Sequence, residues 1–186
     1  MKTVILANGS YPTHKVPLKH LVEADLIVCC DGAVEKLAAY GMKPAAIVGD
    51  LDSVPEEMKR HFHDLLFHDT DQETNDLTKA VKWCLSRSLD NVVILGATGL
   101  REDHTLANIS LLAEYCRDLK VTMLTDTGSF EAFDRTVTLD SFTGQQVSVF
   151  SLTPETGISS TGLRYPLDNL KLMNWWKGTL NEALGS

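Results

Sequence analysis

Four short acidic motifs could together hold a cation and a phosphate group. Each contributes at least one carboxylate from a short polar stretch, and they are Asp31-Gly32, Asp50-Leu51-Asp52, Asn75-Asp76 and Arg101-Glu102-Asp103-His104. Two like charges about 4 Å apart repel by roughly 4 kcal/mol at an effective dielectric of about 20. A fold that brings these acids together therefore needs a compensating cation, and Mg²⁺ bound to a nucleotide polyphosphate is the natural candidate.

Each acidic motif also has an ordinary structural explanation. The Asp50-Leu51-Asp52 sequence follows an apolar run and could ligate Mg²⁺ directly, but aspartate is common wherever a turn leads into a helix. Asp31 precedes Gly32, which would let the backbone come close to a ligand, although the same pair would be unremarkable in a plain turn. These alternatives stay open at the level of single motifs.

A carboxylate and a lysine share one face of a predicted helix. Asp76 and Lys79 are three residues apart and are therefore neighbours on a helix surface. A metal-linked carboxylate beside a phosphate-pairing lysine suits phosphoryl transfer. The competing interpretation is an exposed ion pair, which contributes well under about 1 kcal/mol.

A glycine-bearing turn between a strand and a helix is suited to an anion. Residues 96–99 read Gly-Ala-Thr-Gly and match neither the dinucleotide fingerprint nor a P-loop. Such a turn still offers backbone N–H groups to phosphate, and Arg101 adds a planar cationic fork. His104 could act as a base, or it could cap or pack against the helix start.

The order of apolar runs predicts a mostly parallel α/β sheet in residues 1–127. The runs typical of strands are 3–7, 26–30, 46–48, 92–95 and 121–125. A helix is predicted over 33–40 with Gly41 as its stop signal, and another over 55–62 with Ser53 and Glu56 as a capping box. Two further helix faces are predicted by apolar residues at helical spacing, Leu77, Val81, Cys84 and Leu85 in one and Leu106, Ile109, Leu112 and Ala113 in the other.

The residue pattern changes after about residue 127. Residues 128–186 contain short alternating runs, such as 136–139 and 147–150, separated by Gly- and Pro-bearing turns, and they predict a small all-β, sandwich-like domain. The expected architecture is thus a Rossmann-like α/β domain over 1–127 followed by a β domain over 128–186. In a parallel sheet, ligands bind beyond the carboxyl ends of the strands, so the polar loops should meet at one edge. From these loops we expect Asn8, Gly32, Gly96, Thr98 and Gly99 to contact a nucleotide.

Composition narrows the classes of partner. The chain has 186 residues and a net charge of −8, with no basic stretch to balance the acids, which argues against nucleic acid. The four cysteines show no CxxC spacing, and no apolar stretch approaches the length of a membrane span or of a signal sequence. We therefore expect a cytoplasmic protein that is neither exported nor inserted in a membrane.

Taken in order, the motifs resemble those of the thiamine pyrophosphokinase family. The resemblance covers nearly the whole chain, and its specific stretches are 31–33, 49–53, 74–79, 96–108 and 157–167. It implies transfer of a diphosphoryl group from ATP to the hydroxyethyl oxygen of thiamine, giving thiamine diphosphate and AMP. It also implies Mg²⁺ as cofactor and a homodimer with the thiamine pocket at the subunit interface.

The resemblance also assigns roles to individual positions. Metal and polyphosphate would be surrounded by Asp31, Asp50, Asp52 and Asp76. Nucleotide and phosphates would be lined by Gln72, Thr74, Lys79, Arg101 and Asn108. Asp103 would face thiamine, where we also expect His104, and the acceptor of the hydroxyl proton would be Asp76 or Asp103. Lys79 and Arg101 would supplement the charge of the metal in catalysis.

In the second domain, residues 178–182 are similar to the thiamine loop of the family. Leu180 stands where the family usually has serine, and Trp176, Thr179 and Asn181 are the predicted thiamine contacts. The family ordinarily continues with further β-strand residues beyond the position of Ser186, so we expect either a shortened chain or an unusually small β domain. Two other functions remain open on the motifs alone: a metal-dependent phosphohydrolase or DxD glycosyltransferase, and a ligand-binding sensor without turnover.

Overall fold

A computed structural model describes residues 1–185, which form two compact units, Met1–Asp134 and the remainder from Arg135. The first unit contains seven strands and five α-helices. The strands are β1 Thr3–Leu6, β2 Leu26–Cys30, β3 Ala46–Gly49, β4 Leu66–His68, β5 Asn91–Leu95, β6 Lys120–Leu124 and β7 Ser129–Phe130. The helices are α1 Lys15–Val22, α2 Ala33–Ala39, α3 Glu56–His61, α4 Asp76–Leu85 and α5 Glu102–Tyr115.

The seven strands form one sheet in the order β4-β3-β2-β1-β5-β6-β7. All neighbouring pairs are parallel except β6 and β7, which are antiparallel. The chain runs outward from β1 to β4 and then returns to the other side of β1 with β5. This reversal is a topological switch point, where the loops that follow the flanking strands diverge and leave a crevice for a ligand.

Alternation along the strands creates two hydrophobic cores, one on each face of the sheet. In β1, Val4 and Leu6 join one cluster, whereas Ile5 joins the other, and all three are almost fully buried. Side chains alternate across a strand, so a continuous apolar run is what a strand covered on both faces requires. The predicted fold class is confirmed for this unit.

Most predicted helices are present, with local corrections. Helix α2 ends as expected before Gly41, which has a positive φ of 72°. The predicted capping box at Ser53 is wrong, because α3 begins after Pro55 with no side-chain cap. The backbone N–H of Ser53 is instead donated to Asp31. In α5 the predicted apolar face extends too far, since Leu106 is exposed.

The second unit contains short antiparallel strand pairs and a 3₁₀ helix, Trp175–Gly178. Its strands are β8 Gln146–Val147, β9 Gly157–Ile158, β10 Leu170–Lys171 and β11 Asn181–Glu182, with β8 paired to β11 and β9 to β10. Of the two runs predicted as strands, 136–139 has no strand residue and 147–150 contributes only Val147. The all-β character is as predicted, and the strands are shorter and differently placed.

The helices in the described part of the chain are too short or too polar to cross a membrane. Cys29, Cys30 and Cys84 are buried and form no disulfide.

Candidate active site

Three carboxylates from separate elements meet at the carboxyl edge of the sheet. Asp31 follows β2, Asp50 follows β3, and Asp76 is the first residue of α4. One oxygen from each of these three lies within 4.8 Å of the others, which makes them a possible metal group among the described residues. We call Asp31, Asp50 and Asp76 the acidic triad.

Asp31 is the buried member of the acidic triad. It is only 4% exposed and adopts a positive φ of 46°. Its Oδ2 accepts the backbone N–H of Ser53 at 3.0 Å, but its Oδ1 is buried and has no hydrogen-bond partner. A buried carboxylate oxygen without a donor is costly and is the kind of atom that a bound cation satisfies.

The turn after β3 positions Asp50. Its Oδ1 accepts the backbone N–H of Asp52 at 3.1 Å, and Leu51 between them has a positive φ of 64°. Asp52 itself is exposed and is not a member of the acidic triad. The structure therefore brings together three of the four carboxylates that were predicted to surround the metal.

Gly49 makes room for the acidic triad. A Cβ atom at this position would lie 3.1 Å from the Cβ of Asp31 and 3.1 Å from Oδ1 of Asp76. An alanine here would require the neighbouring side chains to shift by a few tenths of an ångström. The glycine of the motif therefore leaves room for Asp31 and Asp76 to lie close to it.

Asp76 and Lys79 form the predicted pair on α4. The Nζ of Lys79 lies 3.4 Å from Oδ1 of Asp76, and the lysine side chain is only 3% exposed. Burial raises the pKa of Asp76, repulsion from Asp31 and Asp50 adds to the rise, and Lys79 opposes it. The pair is therefore part of a buried electrostatic group, and the alternative of an ordinary surface ion pair is wrong.

A second group of loops lies at the switch point of the sheet. The backbone N–H of Gly9 donates to the carbonyl of Gly96 at 2.7 Å, and that of Ser10 donates to the carbonyl of Thr98 at 2.8 Å. Gly96 and Gly99 have positive φ values of 67° and 88°, which explains why both are glycine. The loop after β1 is thereby joined to the loop after β5.

Replacing Gly9 with alanine is expected to destabilise the protein by about 2 kcal/mol, since overpacking against backbone costs roughly 1–3 kcal/mol. The added Cβ would lie 2.4 Å from the carbonyl oxygen of Gly96 and 2.7 Å from that of Thr98. Urea unfolding measures the effect. Gly128→Ala is the matched control, because a Cβ there meets nothing within 4 Å. Equal stability of the two variants would contradict the contact.

Two asparagines link the start of α4 to the loop after β5. Asn75 caps α4 by accepting the backbone N–H of Thr78 at 2.9 Å. Its Nδ2 donates to Oδ1 of Asn108 at 3.2 Å, and Nδ2 of Asn108 donates to the carbonyl of Ala97 at 2.8 Å. Asn108, predicted to line the nucleotide, is thus in a position that orders both segments.

Arg101 and Asp103 were predicted to face different ligands but bind each other. The Nε and NH2 groups of Arg101 donate to the two carboxylate oxygens of Asp103 at 3.1 and 2.6 Å, and both side chains are exposed. The hydrogen bonds from Arg101 and from the backbone N–H of His104 lower the pKa of Asp103 to about 2. The imidazole of His104 is itself exposed.

Gln72 and Thr74 lie in the segment before α4. Thr74 Oγ1 donates to Oδ2 of Asp71 at 2.9 Å, and the backbone N–H of Glu73 donates to Oδ1 of the same carboxylate at 2.9 Å. Gln72 is exposed, with its Nε2 3.5 Å from the carbonyl of Thr70. Asp71 therefore organises this turn.

The candidate substrate residues of the second unit differ in exposure. Trp176 is 71% exposed, and Thr179 Oγ1 donates to its carbonyl at 2.8 Å. Asn181 is buried. Its side-chain Oδ1 accepts the backbone N–H of Tyr165 at 3.1 Å, and its Nδ2 donates to the carbonyl of Tyr165 at 2.6 Å. Leu180, at the position where the resemblance expects serine, is 82% exposed with a positive φ of 60°.

Sequence reasoning missed several residues that shape the site. The cap at Asn75 had a detectable signal, because asparagine directly before an apolar helix pattern is a common N-cap. The backbone N–H of Ser53 donates to Asp31, and the ammonium of Lys36 donates to the carbonyl of Gly9. Neither bond had a detectable signal, because each joins residues that are distant in sequence.

Family models match both parts of the chain. The model described as thiamin pyrophosphokinase, catalytic domain, matches residues 18–124, and that described as thiamin pyrophosphokinase, substrate-binding domain, matches residues 128–186. A curated relative is Thiamin pyrophosphokinase 1 of Caenorhabditis elegans, 29% identical over 160 residues, which cover 78% of this chain and 65% of the relative. Another is Thiamine pyrophosphokinase of Bacillus subtilis, 27% identical over 185 residues, covering 91% of this chain and 83% of the relative.

The fold is also similar to a solved structure. The crystal structure of thiamine pyrophosphokinase from Bacillus subtilis superposes with a TM-score of 0.78 at 24% sequence identity, and the alignment covers 100% of this chain and 91% of that one. The chain spans just under two thirds of the nematode relative and a larger share of the bacterial ones. The fold of this chain is therefore similar to that of a known structure.

Proposed function

Because this chain belongs to the thiamine pyrophosphokinase family, we propose that it transfers the diphosphoryl group of ATP to the hydroxyethyl oxygen of thiamine, giving thiamine diphosphate and AMP. In this reaction the hydroxyl oxygen bonds to the β-phosphorus of ATP. The bond from the β-phosphorus to the oxygen that bridges it to the α-phosphorus breaks, and AMP leaves with that oxygen. The hydroxyl proton passes to a base.

The acidic triad beside a buried lysine is the observation that carries this proposal. Asp31, Asp50 and Asp76 come from three separate segments, and the amine of Lys79 lies 3.4 Å from the last of them. A diphosphoryl transfer involves little covalent participation by protein groups and depends on positioning and charge stabilisation. Such a concentration of opposite charges at the ligand-binding edge of a parallel sheet is suited to that task.

The triad offers the hard oxygen ligands that Mg²⁺ binds, and substrate phosphates would supply further oxygen ligands. The buried Oδ1 of Asp31, which has no hydrogen-bond partner, supports the fit. Asp31, Asp50 and Asp76 would hold the ion, and the exposed Asp52 would contribute from the same turn as Asp50. When bound, Mg²⁺ neutralises polyphosphate charge and polarises the phosphoryl group under attack.

The cationic side chains of the site would bind the phosphates. Lys79 is fixed by burial and by Asp76, so its ammonium is already placed beside the triad before substrate arrives. Arg101 is exposed at the start of α5 and keeps its fork oriented by two hydrogen bonds to Asp103. We assign the Arg101–Asp103 pair to substrate binding, because a carboxyl group with a pKa of about 2 is a weak base.

We further propose a homodimer in which the second unit contributes to the thiamine pocket. This unit exposes large apolar side chains, among them Phe142, Trp176 and Leu180, which are each more than half exposed. Side chains of this kind could be covered by a second subunit. Trp176 and Thr179 would contact thiamine there, and Asn181 would support the loop through its bonds to Tyr165.

The test is a coupled product measurement with the purified protein, Mg-ATP and thiamine. We expect AMP and thiamine diphosphate to form in equal amounts, with neither product appearing when thiamine is left out. Release of inorganic phosphate without AMP would favour a phosphohydrolase, and consumption of a sugar nucleotide would favour a glycosyltransferase. Binding of thiamine and nucleotide without turnover over hours would indicate a sensor. Each of these outcomes would overturn the proposed reaction.

A further inference from the structure

Lys36 binds the loop that follows β1. Its Nζ donates to the carbonyl oxygen of Gly9 at 2.7 Å and lies 3.5 Å from that of Asn8. Lys36 is half-buried and lies on α2, the helix that begins directly after Asp31 and Gly32. A hydrogen bond from an ammonium group is roughly twice as strong as one between neutral groups. The side chain therefore ties α2 firmly to this loop.

The loop bonded by Lys36 is in turn hydrogen-bonded to the loop after β5. Ser10 Oγ donates to the carbonyl of Gly99 at 2.9 Å, and the backbone N–H groups of Gly9 and Ser10 donate to Gly96 and Thr98. A Cβ placed on Gly32 would lie 2.8 Å from Nδ2 of Asn8, so the loop also packs closely on the start of α2. The ammonium group of Lys36 thus connects helix α2 with both loops at the switch point.

The charge of Lys36 also suits this location. The protein carries a net charge of −8, and the acidic triad lies at the same edge of the sheet. Carbonyl oxygens carry partial negative charge and repel a phosphate that approaches them. An ammonium group bonded to two of these carbonyls offsets their charge and restricts the directions in which they can turn.

We propose that Lys36 is a positioning residue for the nucleotide, which acts by fixing the carbonyls of Asn8 and Gly9 and, through them, the loop of residues 96–99. This inference rests on the proposed function, because it takes the nucleotide as the ligand of these loops. Loss of a positioning residue lowers nucleotide affinity in protein that is fully folded, whereas loss of a purely structural residue lowers only the stability of the fold.

The experiment compares Lys36→Met, which keeps the length of the side chain and removes the amine, with Lys36→Arg, which keeps a cationic donor. The matched control is Lys43→Met, which makes the same chemical change at an exposed lysine. We expect Lys36→Met to raise KM for ATP about tenfold with kcat within about twofold of wild type, as expected for loss of one charge-assisted hydrogen bond. Lys36→Arg should restore most of the affinity, and Lys43→Met should leave it unchanged.

A second measurement does not depend on turnover. Isothermal titration with a non-hydrolysable ATP analogue and MgCl₂, well below the thermal midpoint of each variant, should show the same tenfold weakening for Lys36→Met. Amide hydrogen exchange should be faster in peptides that contain Gly9 and Ser10. Wild-type affinity in folded Lys36→Met, or an equal loss in Lys43→Met, would overturn the proposal. If wild-type protein makes no thiamine diphosphate while Lys36→Met still weakens binding of the analogue, the proposed reaction fails and the role of Lys36 stands.

Discussion

Asp31→Asn is expected to lower turnover by about 10³-fold while the fold stays intact. Asparagine tolerates the positive φ of this position, and its carbonyl oxygen can still accept the backbone N–H of Ser53. Its amide NH₂ would take the place of the carboxylate oxygen that has no partner in the wild type. The substitution therefore removes one candidate metal ligand and one negative charge, with little change of shape.

The loss should be visible in ion binding as well as in turnover. A ligand at 100 times its Kd stabilises a protein by about 2.7 kcal/mol, so MgCl₂ should raise the thermal midpoint of the wild type and not that of Asp31→Asn. Asp64→Asn is the control, since this carboxylate is 83% exposed and is outside the acidic triad. Asp52→Asn tests whether the exposed acid also ligates the ion. If it does, turnover should fall about as much as in Asp31→Asn. Full turnover with Asp31→Asn would refute the assigned metal site.

The sheet and two members of the acidic triad, Asp31 and Asp50, were predictable for the same physical reason. Apolar runs buried on both faces mark the strands, and the carboxyl ends of parallel strands must share one edge. Asp31 and Asp50 each stand directly after such a run, and the prediction that they meet is confirmed by the 4.8 Å grouping with Asp76. The sequence thus indicated that Asp31 and Asp50 each lie directly beyond the end of a strand.

Elements that depend on distant contacts could not be predicted in this way. Helix α1 was missed, and the two residues directly before it are held by Asp126, whose carboxylate accepts the backbone N–H groups of Thr13 and His14 at 3.0 Å. Strand β4 was missed because it has three residues at the edge of the sheet and shows no alternation to detect. In both cases the stabilising partner lies elsewhere in the chain.

Side-chain pairing was also beyond the sequence. Arg101 and Asp103 are two residues apart, a spacing that does not bring side chains together within a helix, and the pair forms because Arg101 lies just before α5 in extended backbone. Asp52 is in the right motif, but the turn at Leu51 leaves it exposed. Motif matching therefore identified the right segments and could not decide which side chains converge.

Lys79→Met is expected to reduce both stability and turnover. The ammonium is 3% exposed beside Asp76, so its removal leaves three neighbouring carboxylates without their nearest cation. Breaking a buried pair costs about 3–5 kcal/mol, and because Asp76 is one-third exposed we expect a smaller loss of about 2 kcal/mol. Methionine fills a similar volume, so packing should change little. Urea unfolding without divalent ions measures this loss, and turnover should fall by at least about 10²-fold.

The pH dependence distinguishes lost charge from lost packing. The pKa of Asp76 is raised by burial and lowered by Lys79, so in Lys79→Met it should rise further. A carboxyl group whose folded pKa lies above its unfolded value favours the folded state at low pH and loses that contribution as pH rises through the folded pKa. The destabilisation should therefore be smaller at about pH 5 than at about pH 7.5. Lys79→Met/Asp76→Asn should recover part of the loss at the higher pH, because the unpaired carboxylate is gone. A pH-independent loss that the second substitution does not relieve would contradict the assigned charge interaction between Lys79 and Asp76.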